Sequence, residues 1–167
     1  VLLQMTLPGA PTIYYGDEVG LAGPPALSGG QWQDDPYNRQ PYPWLDQSGA
    51  PFYAHLQSQS GQDAIADHYK LLTGARNSHP SLRTGDFKTL KIDDANNVYA
   101  YGRKMADGSD AAIILVNRKA SAQDITVDVG GYLPNGAVFI DVLNGNAAYT
   151  VSGGQLTVNA VRAMNGA

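Results

Sequence analysis

Phe87-Lys88-Thr89-Leu90-Lys91-Ile92, the turn Asp93-Asp94-Ala95-Asn96-Asn97, and Val98-Tyr99-Ala100-Tyr101-Gly102-Arg103 read as two β-strands joined by a tight connection. Large apolar or aromatic residues recur at a period of two, as in a strand that buries one face. The pattern continues outward. Asp107-Gly108 marks a turn before the apolar run Ala111-Ala112-Ile113-Ile114-Leu115-Val116. Ile125-Thr126-Val127-Asp128-Val129 and Val138-Phe139-Ile140-Asp141-Val142-Leu143 alternate again. Tyr149-Thr150-Val151, Ser152-Gly153-Gly154 and Leu156-Thr157-Val158 read as a terminal hairpin. Strands at this spacing predict an antiparallel β-sandwich of roughly seven or eight strands over residues 82–167.

Toward the N-terminus the period changes to 3.6. Ile65, His68, Tyr69, Leu72 and Arg76 share one helical face, with Asp63 and Asp67 near the positive end of the helix dipole. Pro80 ends this helix and pushes His79 toward an extended backbone. Earlier, Pro11-Thr12-Ile13-Tyr14-Tyr15, closed by Gly16, has the β-branched and aromatic make-up of a short buried strand. Residues 19–61 form a long stretch dense in Pro, Gly, Gln and aromatics, a kind of segment that is usually functional. One strand and one helix cannot bury both their faces unaided. Residues 1–81 are therefore expected to need neighbours beyond this sequence. Val1 to Leu7 reads as the tail of a helix begun upstream, and the chain as a fragment.

Composition narrows the partners. Eleven Lys+Arg against fifteen Asp+Glu give a formal charge of −4 with no basic stripe, so no nucleic acid is expected. The apolar runs fall far short of a membrane span, so no membrane is expected either. There is no cysteine, which excludes disulfides and thiol chemistry and fits a cytoplasmic or a secreted protein equally. His55, His68 and His79 lack metal-ligand spacing, and no metal or cofactor is expected. His68, on the apolar helix face, reads as a packing histidine.

Met5-Thr6-Leu7-Pro8-Gly9-Ala10-Pro11-Thr12-Ile13-Tyr14-Tyr15-Gly16-Asp17-Glu18-Val19-Gly20 resembles the eighth barrel strand of glycoside hydrolase family 13, the alpha-amylase family. Asp35-Pro36-Tyr37-Asn38-Arg39 followed by Pro41-Tyr42-Pro43-Trp44 is similar to that family's D-P-x-N-R segment and its P-x-P-W. Ala66 to Leu72 and Arg76 to Gly85 resemble its eighth barrel helix and the exit to domain C. The nearest resemblance is to the neopullulanase, cyclomaltodextrinase and amylopullulanase group, and it weakens after about Ala120.

This resemblance implies a mainly β chain. Its expected make-up is one β/α unit left from a (β/α)8 barrel (residues 1–81), then a Greek-key-like domain C (residues 82–167). It implies a parent that hydrolyses alpha-glucans such as starch, pullulan or maltodextrins by a retaining mechanism, with two carboxyl groups about 5–5.5 Å apart. The family's nucleophile segment (G-F-R-x-D) and its N-H-D segment are absent here. No catalytic residue is assigned, and the chain alone is expected to be inactive. Its implied partners are an alpha-glucan oligosaccharide and the N-terminal part of the barrel, and self-association of the isolated chain is a further expectation. The rival reading is a non-catalytic carbohydrate-binding or structural β-sandwich module.

Two residues carry over as substrate-binding, Asp35 and Arg39. A carboxylate accepts from sugar hydroxyls and a guanidinium donates to them in a planar fork. The bland alternative is that they pair with each other and brace the loop. Asp17 and Glu18, adjacent on a strand, would point to opposite faces, so they read as acceptors supporting a rim. Trp32, Tyr37, Tyr42, Trp44, Phe52 and Tyr53 could stack on sugars, or could form the loop's own small core. The Pro41–Pro43 spacing and Trp44 read as rigid packing.

Overall fold

A computed structural model describes residues 1–21, 27–28, 31–32, 39–50, 52 and 62–163. In chain order its elements are α1 (Leu2–Thr6), a 3-10 turn (Asp17–Val19), β1 (Leu27–Ser28), β2 (Gln31–Trp32), α2 (Gln62–Ser78) and α3 (Pro80–Thr84). Then come β3 (Lys88–Asp93), β4 (Val98–Lys104), β5 (Ala111–Asn117), β6 (Gln123–Asp128), β7 (Val138–Asp141), β8 (Ala147–Thr150) and β9 (Gln155–Val161). They group into two compact units, Val1–Ala10 with Leu71–Ala167, and Pro11–Lys70.

The first unit holds the expected antiparallel β architecture. β3, β4 and β5 form a meander with β4 in the middle. Asp93 closes the β3–β4 turn by accepting from the Asn96 backbone N–H at 3.0 Å, and Asn97 takes φ +54°. β6 pairs with β9 rather than with its sequence neighbour, and β7 pairs with β8 inside that connection. This nesting is the Greek-key feature. The expected terminal hairpin does not form as such. A single bridge, Ser152 to Gln155, joins the ends of β8 and β9. Val151, fully buried, instead exchanges backbone hydrogen bonds with Gly136 and Ala137. Burying that side chain takes the strand into the β7 pairing, so the two arms of the turn diverge.

β4 explains the layering. Val98 and Ala100 face a core built with Ile125, Val127, Val129, Leu133, Leu156 and Val158. Tyr101 faces the opposite way, packing with Leu82 and Ile114, with Leu2 and Ala75 against them. The central strand is thus covered on both sides, by the sandwich core and by helical segments. Gly102 sits on the first face, where a Cβ would lie 2.4 Å from Cε1 of Tyr132. Only the absence of a side chain lets that ring lie against the strand. The Tyr132 hydroxyl donates to Asp86 Oδ1 at 2.8 Å, and the Lys88 and Lys104 ammoniums stand 4.9 and 4.7 Å from the ring centre. Burial first, then the Asp86 carboxylate, pushes the Tyr132 hydroxyl strongly upward.

Two buried arginines hold the helical segments to β4. Arg103, 1% exposed, donates from Nε to Asp86 O (2.6 Å), from Nη1 to Thr6 O (2.7 Å) and Leu82 O (3.2 Å), and from Nη2 to Gly85 O (3.0 Å). Arg76 donates from Nη1 to Met5 O and Leu82 O, both at 2.7 Å, and from Nη2 to Gly9 O. A buried guanidinium is tolerated when its fork of N–H donors is met by acceptors, and here main-chain carbonyls meet it. Burial, followed by the like charge of Arg76, pulls the Arg103 guanidinium below its ordinary range.

Pro80 ends α2 and opens α3, where its missing N–H is harmless. His79 Nδ1 lies 3.0 Å from Asp110 Oδ1, and the Ser81 N–H donates to Asp110 Oδ2 at 2.9 Å. Burial raises the Asp110 carboxyl, but hydrogen bonds from His79 and Ser81 outweigh it and leave the group below its usual range. His68, expected to pack, is exposed; the helix buries Tyr69, Leu72 and Arg76 instead.

Candidate functional site

The second unit carries the loop that the sequence singles out. Its first feature is a correction. Pro11 to Tyr15 forms no strand, and Tyr14 is 54% exposed, with Ile13 and Tyr15 also exposed. A β-strand needs ladder partners and covered faces, and among the described residues none is offered to this run. Gly16 follows in the left-handed region (φ +93°), where an added Cβ would also meet the Leu21 side chain at 2.7 Å. It turns the chain into Asp17–Val19, closed by Val19 N–H to Gly16 O (3.1 Å) and Leu21 N–H to Gly16 O (2.8 Å).

Asp17 and Glu18 therefore sit on a 3-10 turn, not on strand ends. Glu18 still acts as an acceptor. Its Oε2 takes the Gly16 N–H at 3.0 Å, and its carboxylate takes the Tyr42 hydroxyl. Burial, then the charge and hydrogen bond of Glu18, pushes the Tyr42 hydroxyl above its ordinary value. The Glu18–Tyr42 pairing is 24 residues apart in sequence, and no local signal announces it. Tyr15 adds a second tie, donating from its hydroxyl to Gln40 O at 3.0 Å.

Beyond these ties the loop makes a tight turn. Phe52 N–H donates to Trp44 O at 2.9 Å, and Asp46 N–H donates to Ala50 O at 2.8 Å. Inside it, Asp46 Oδ1 accepts from the Ser48 N–H (2.8 Å), the Ser48 hydroxyl (2.7 Å) and the Ala50 N–H (2.9 Å). Those bonds, the Ser48 hydroxyl first, hold the Asp46 carboxyl below its usual range. The Tyr42 and Trp44 rings lie 4.5 Å apart at 44°. Trp44 is 64% exposed and Phe52 68% exposed, so neither is the interior of a loop core. The packing role expected of Trp44 is met on one face only.

Arg39 is exposed, on the segment leading into this turn. Asp35, Trp32's side chain, Tyr37, Tyr53 and His55 lie outside the described residues. Among the described residues, no group of three or more His, Asp or Glu side chains could hold a metal ion. No helix among them is long and apolar enough to cross a membrane.

No protein-family model matches the chain. An amylopullulanase of Thermoanaerobacterium saccharolyticum is 37% identical over 174 residues, covering 99% of this chain. A debranching enzyme from Nostoc punctiforme, 28% identical, aligns over 95% of the chain with a TM-score of 0.58. These alignments extend across both compact units. Over nearly its whole length the chain is similar to amylopullulanases, and its structural neighbours are debranching enzymes and a cyclomaltodextrinase of glycoside hydrolase family 13. A cyclomaltodextrinase structure, 24% identical, supports the fold with a TM-score of 0.66 over 95% of the chain. The chain spans only 12% of the amylopullulanase, 28% of the debranching enzyme and 23% of the cyclomaltodextrinase. The antiparallel sheets of the first unit match the C-terminal β-sandwich of family 13 enzymes.

Proposed function

We propose that this chain is the C-terminal portion of an alpha-glucan hydrolase of family 13, made of the last β/α unit of a (β/α)8 barrel (residues 1–81) and domain C (residues 82–167). The observation that carries this reading is identity of 37% across 99% of the chain to an amylopullulanase of which it spans 12%. The exposed Ile13, Tyr14 and Tyr15 support it, since an apolar run of strand composition without strand partners is what a barrel strand leaves when its neighbours are elsewhere. In the complete enzyme residues 1–81 close the barrel, and Asp35 and Arg39 hydrogen-bond sugar hydroxyls of the bound glucan. The catalytic carboxylates belong to the rest of that protein, whose reaction proceeds through a covalent glycosyl-enzyme.

The test has two arms. The pure 167-residue chain should release no reducing sugar from starch or pullulan, whereas the same chain joined to its upstream barrel should release it. Hydrolysis by the isolated chain would overturn the assignment. In the complete enzyme, Asp35→Ala or Arg39→Ala should lower kcat/KM roughly ten- to a hundredfold, more on long glucans than on short ones. Equal losses on both, together with a lower melting temperature, would show that the pair only braces the loop.

A further inference from the structure

Asparagine is a chemically labile residue, and most so before glycine, whose nitrogen no Cβ shields. The sequence holds three such steps, Asn135-Gly136, Asn144-Gly145 and Asn165-Gly166. The last lies outside the described residues. The fold treats the other two differently. At Asn135-Gly136 both reacting groups are engaged. The Gly136 N–H donates to Val151 O at 2.9 Å, next to a fully buried side chain, and Asn135 Oδ1 accepts the Gly154 N–H at 2.8 Å. A main-chain nitrogen held in such a bond between paired segments is not available to attack the side chain before it.

Asn144-Gly145 lies in the turn between β7 and β8, which Asp141 organises. Its Oδ1 accepts the N–H groups of Leu143 (3.0 Å) and Asn144 (3.1 Å), and its Oδ2 accepts from Asn144 Nδ2 at 2.8 Å. Its carbonyl takes the Asn146 N–H at 3.0 Å. Gly145 is passed over. It is exposed, with φ +73°, and among the described residues no acceptor takes its N–H. The nucleophile of this step is therefore free and in water, one residue beyond the amide it would attack.

We propose that Asn144 is a site of spontaneous deamidation in the folded chain. The Gly145 nitrogen gives its proton to solvent base and bonds to Cγ of Asn144. The Cγ–Nδ2 bond breaks, and Nδ2 takes a proton from solvent and leaves as ammonia. Water then opens the succinimide at either carbonyl, giving an aspartyl or an isoaspartyl residue at position 144. The new carboxylate faces Asp141 where the amide had donated to it, so attraction becomes like-charge repulsion. The isoaspartyl form also lengthens the main chain by a methylene, inside a turn that joins Asp141 to Ala147 in register. Phe139 and Tyr149 pair across the same hairpin and pack on the sandwich core, so either product loosens that packing.

The test is a time course on the 167-residue chain at mildly alkaline pH, in native buffer and in concentrated urea, read by peptide mapping with isoaspartate detection. In native buffer product should accumulate at position 144 while position 135 stays an amide. In urea, where the Gly136 bond is gone, both should convert at similar rates. Asn144→Gln, whose longer amide cannot close the same ring, should lose the native signal at this position. Aged wild type should melt below fresh wild type, and Asn144→Asp made directly should reproduce the like-charge part of that loss. Conversion at 135 equal to or ahead of 144 in native buffer would overturn the assignment, and so would a position 144 that converts only in urea. Aged and fresh chains that melt together would overturn the effect on the β7–β8 hairpin.

Discussion

Replacing Arg103 with Met removes a guanidinium while keeping most of the volume of its stem. Four hydrogen bonds vanish, to the carbonyls of Thr6, Leu82, Gly85 and Asp86. Leu82 O keeps the Arg76 donor at 2.7 Å, so three carbonyls in a buried setting lose a charged donor. Each such bond contributes about 1.5 kcal/mol or more, a gross loss of roughly 4–5 kcal/mol. Against this, the variant no longer buries a charge, and Arg76 is freed from a like-charged neighbour, so part of the loss is offset. The expected net destabilisation is about 2–4 kcal/mol, or a fall in Tm of roughly 5–15 °C for a chain of this size. Thermal and urea unfolding followed by circular dichroism would measure it. Arg76→Met with Arg103→Met should cost more than the sum of the two, because Leu82 O keeps one donor in each single variant but none in the double, and because relief of their mutual repulsion counts once in the double variant but twice in the sum. A Tm change under about 2 °C for Arg103→Met, or strict additivity in the double variant, would refute the idea that these guanidiniums hold the segments together.

Two further outcomes follow from the same unit. Gly102→Ala should destabilise by about 1–3 kcal/mol, since the new methyl would meet a Tyr132 ring held by Asp86 and by two lysines; a Tm equal to wild type would show that the ring moves aside freely. Asp110 has a depressed pKa in the folded state, so its contribution is present above the unfolded value, near 4, and is lost as the pH falls through the folded value. Asp110→Asn should therefore lower stability at pH 7 and flatten the acid limb of a stability–pH curve, and an acid limb as steep as in the wild type would count against it.

The β-rich half was legible because its signal is local. Strands β3 to β7 and β9 fall where alternating or continuous apolar runs end in Asx or glycine turns, but a run does not always name the buried face, since Val138 and Ile140 of β7 and Ile92 of β3 are exposed. Connectivity was less legible. Tyr149 to Val158 has the sequence of a hairpin, yet Val151 is drawn into the core beside Ala137, a contact that only the assembled sandwich can specify. Pro11 to Tyr15 failed for the opposite reason, because its composition suits a strand but a strand exists only with neighbours to pair with. His68 shows the limit of helical periodicity, which gives a face but not what lies against it. At the loop, Asp35 and Arg39 were visible only through resemblance, whereas the turn from Trp44 to Phe52 depends on two backbone hydrogen bonds that no spacing rule predicts.

The grip of Arg76 and Arg103 has an evolutionary consequence. Most contacts between segments join side chains, so a change on one side asks for a change on the other. These two residues hold main-chain oxygens, which every amino acid supplies. The arginine bonds themselves make no demand on the side chains of the residues whose carbonyls accept them, provided the backbone path is kept; Asp86 and Gly85 are constrained separately, by the Tyr132 hydroxyl and by the close Ser81 backbone. Selection is thereby concentrated on two arginine codons. A lineage can remodel the surface of this junction extensively and still inherit it, but loses it with a single substitution at either position.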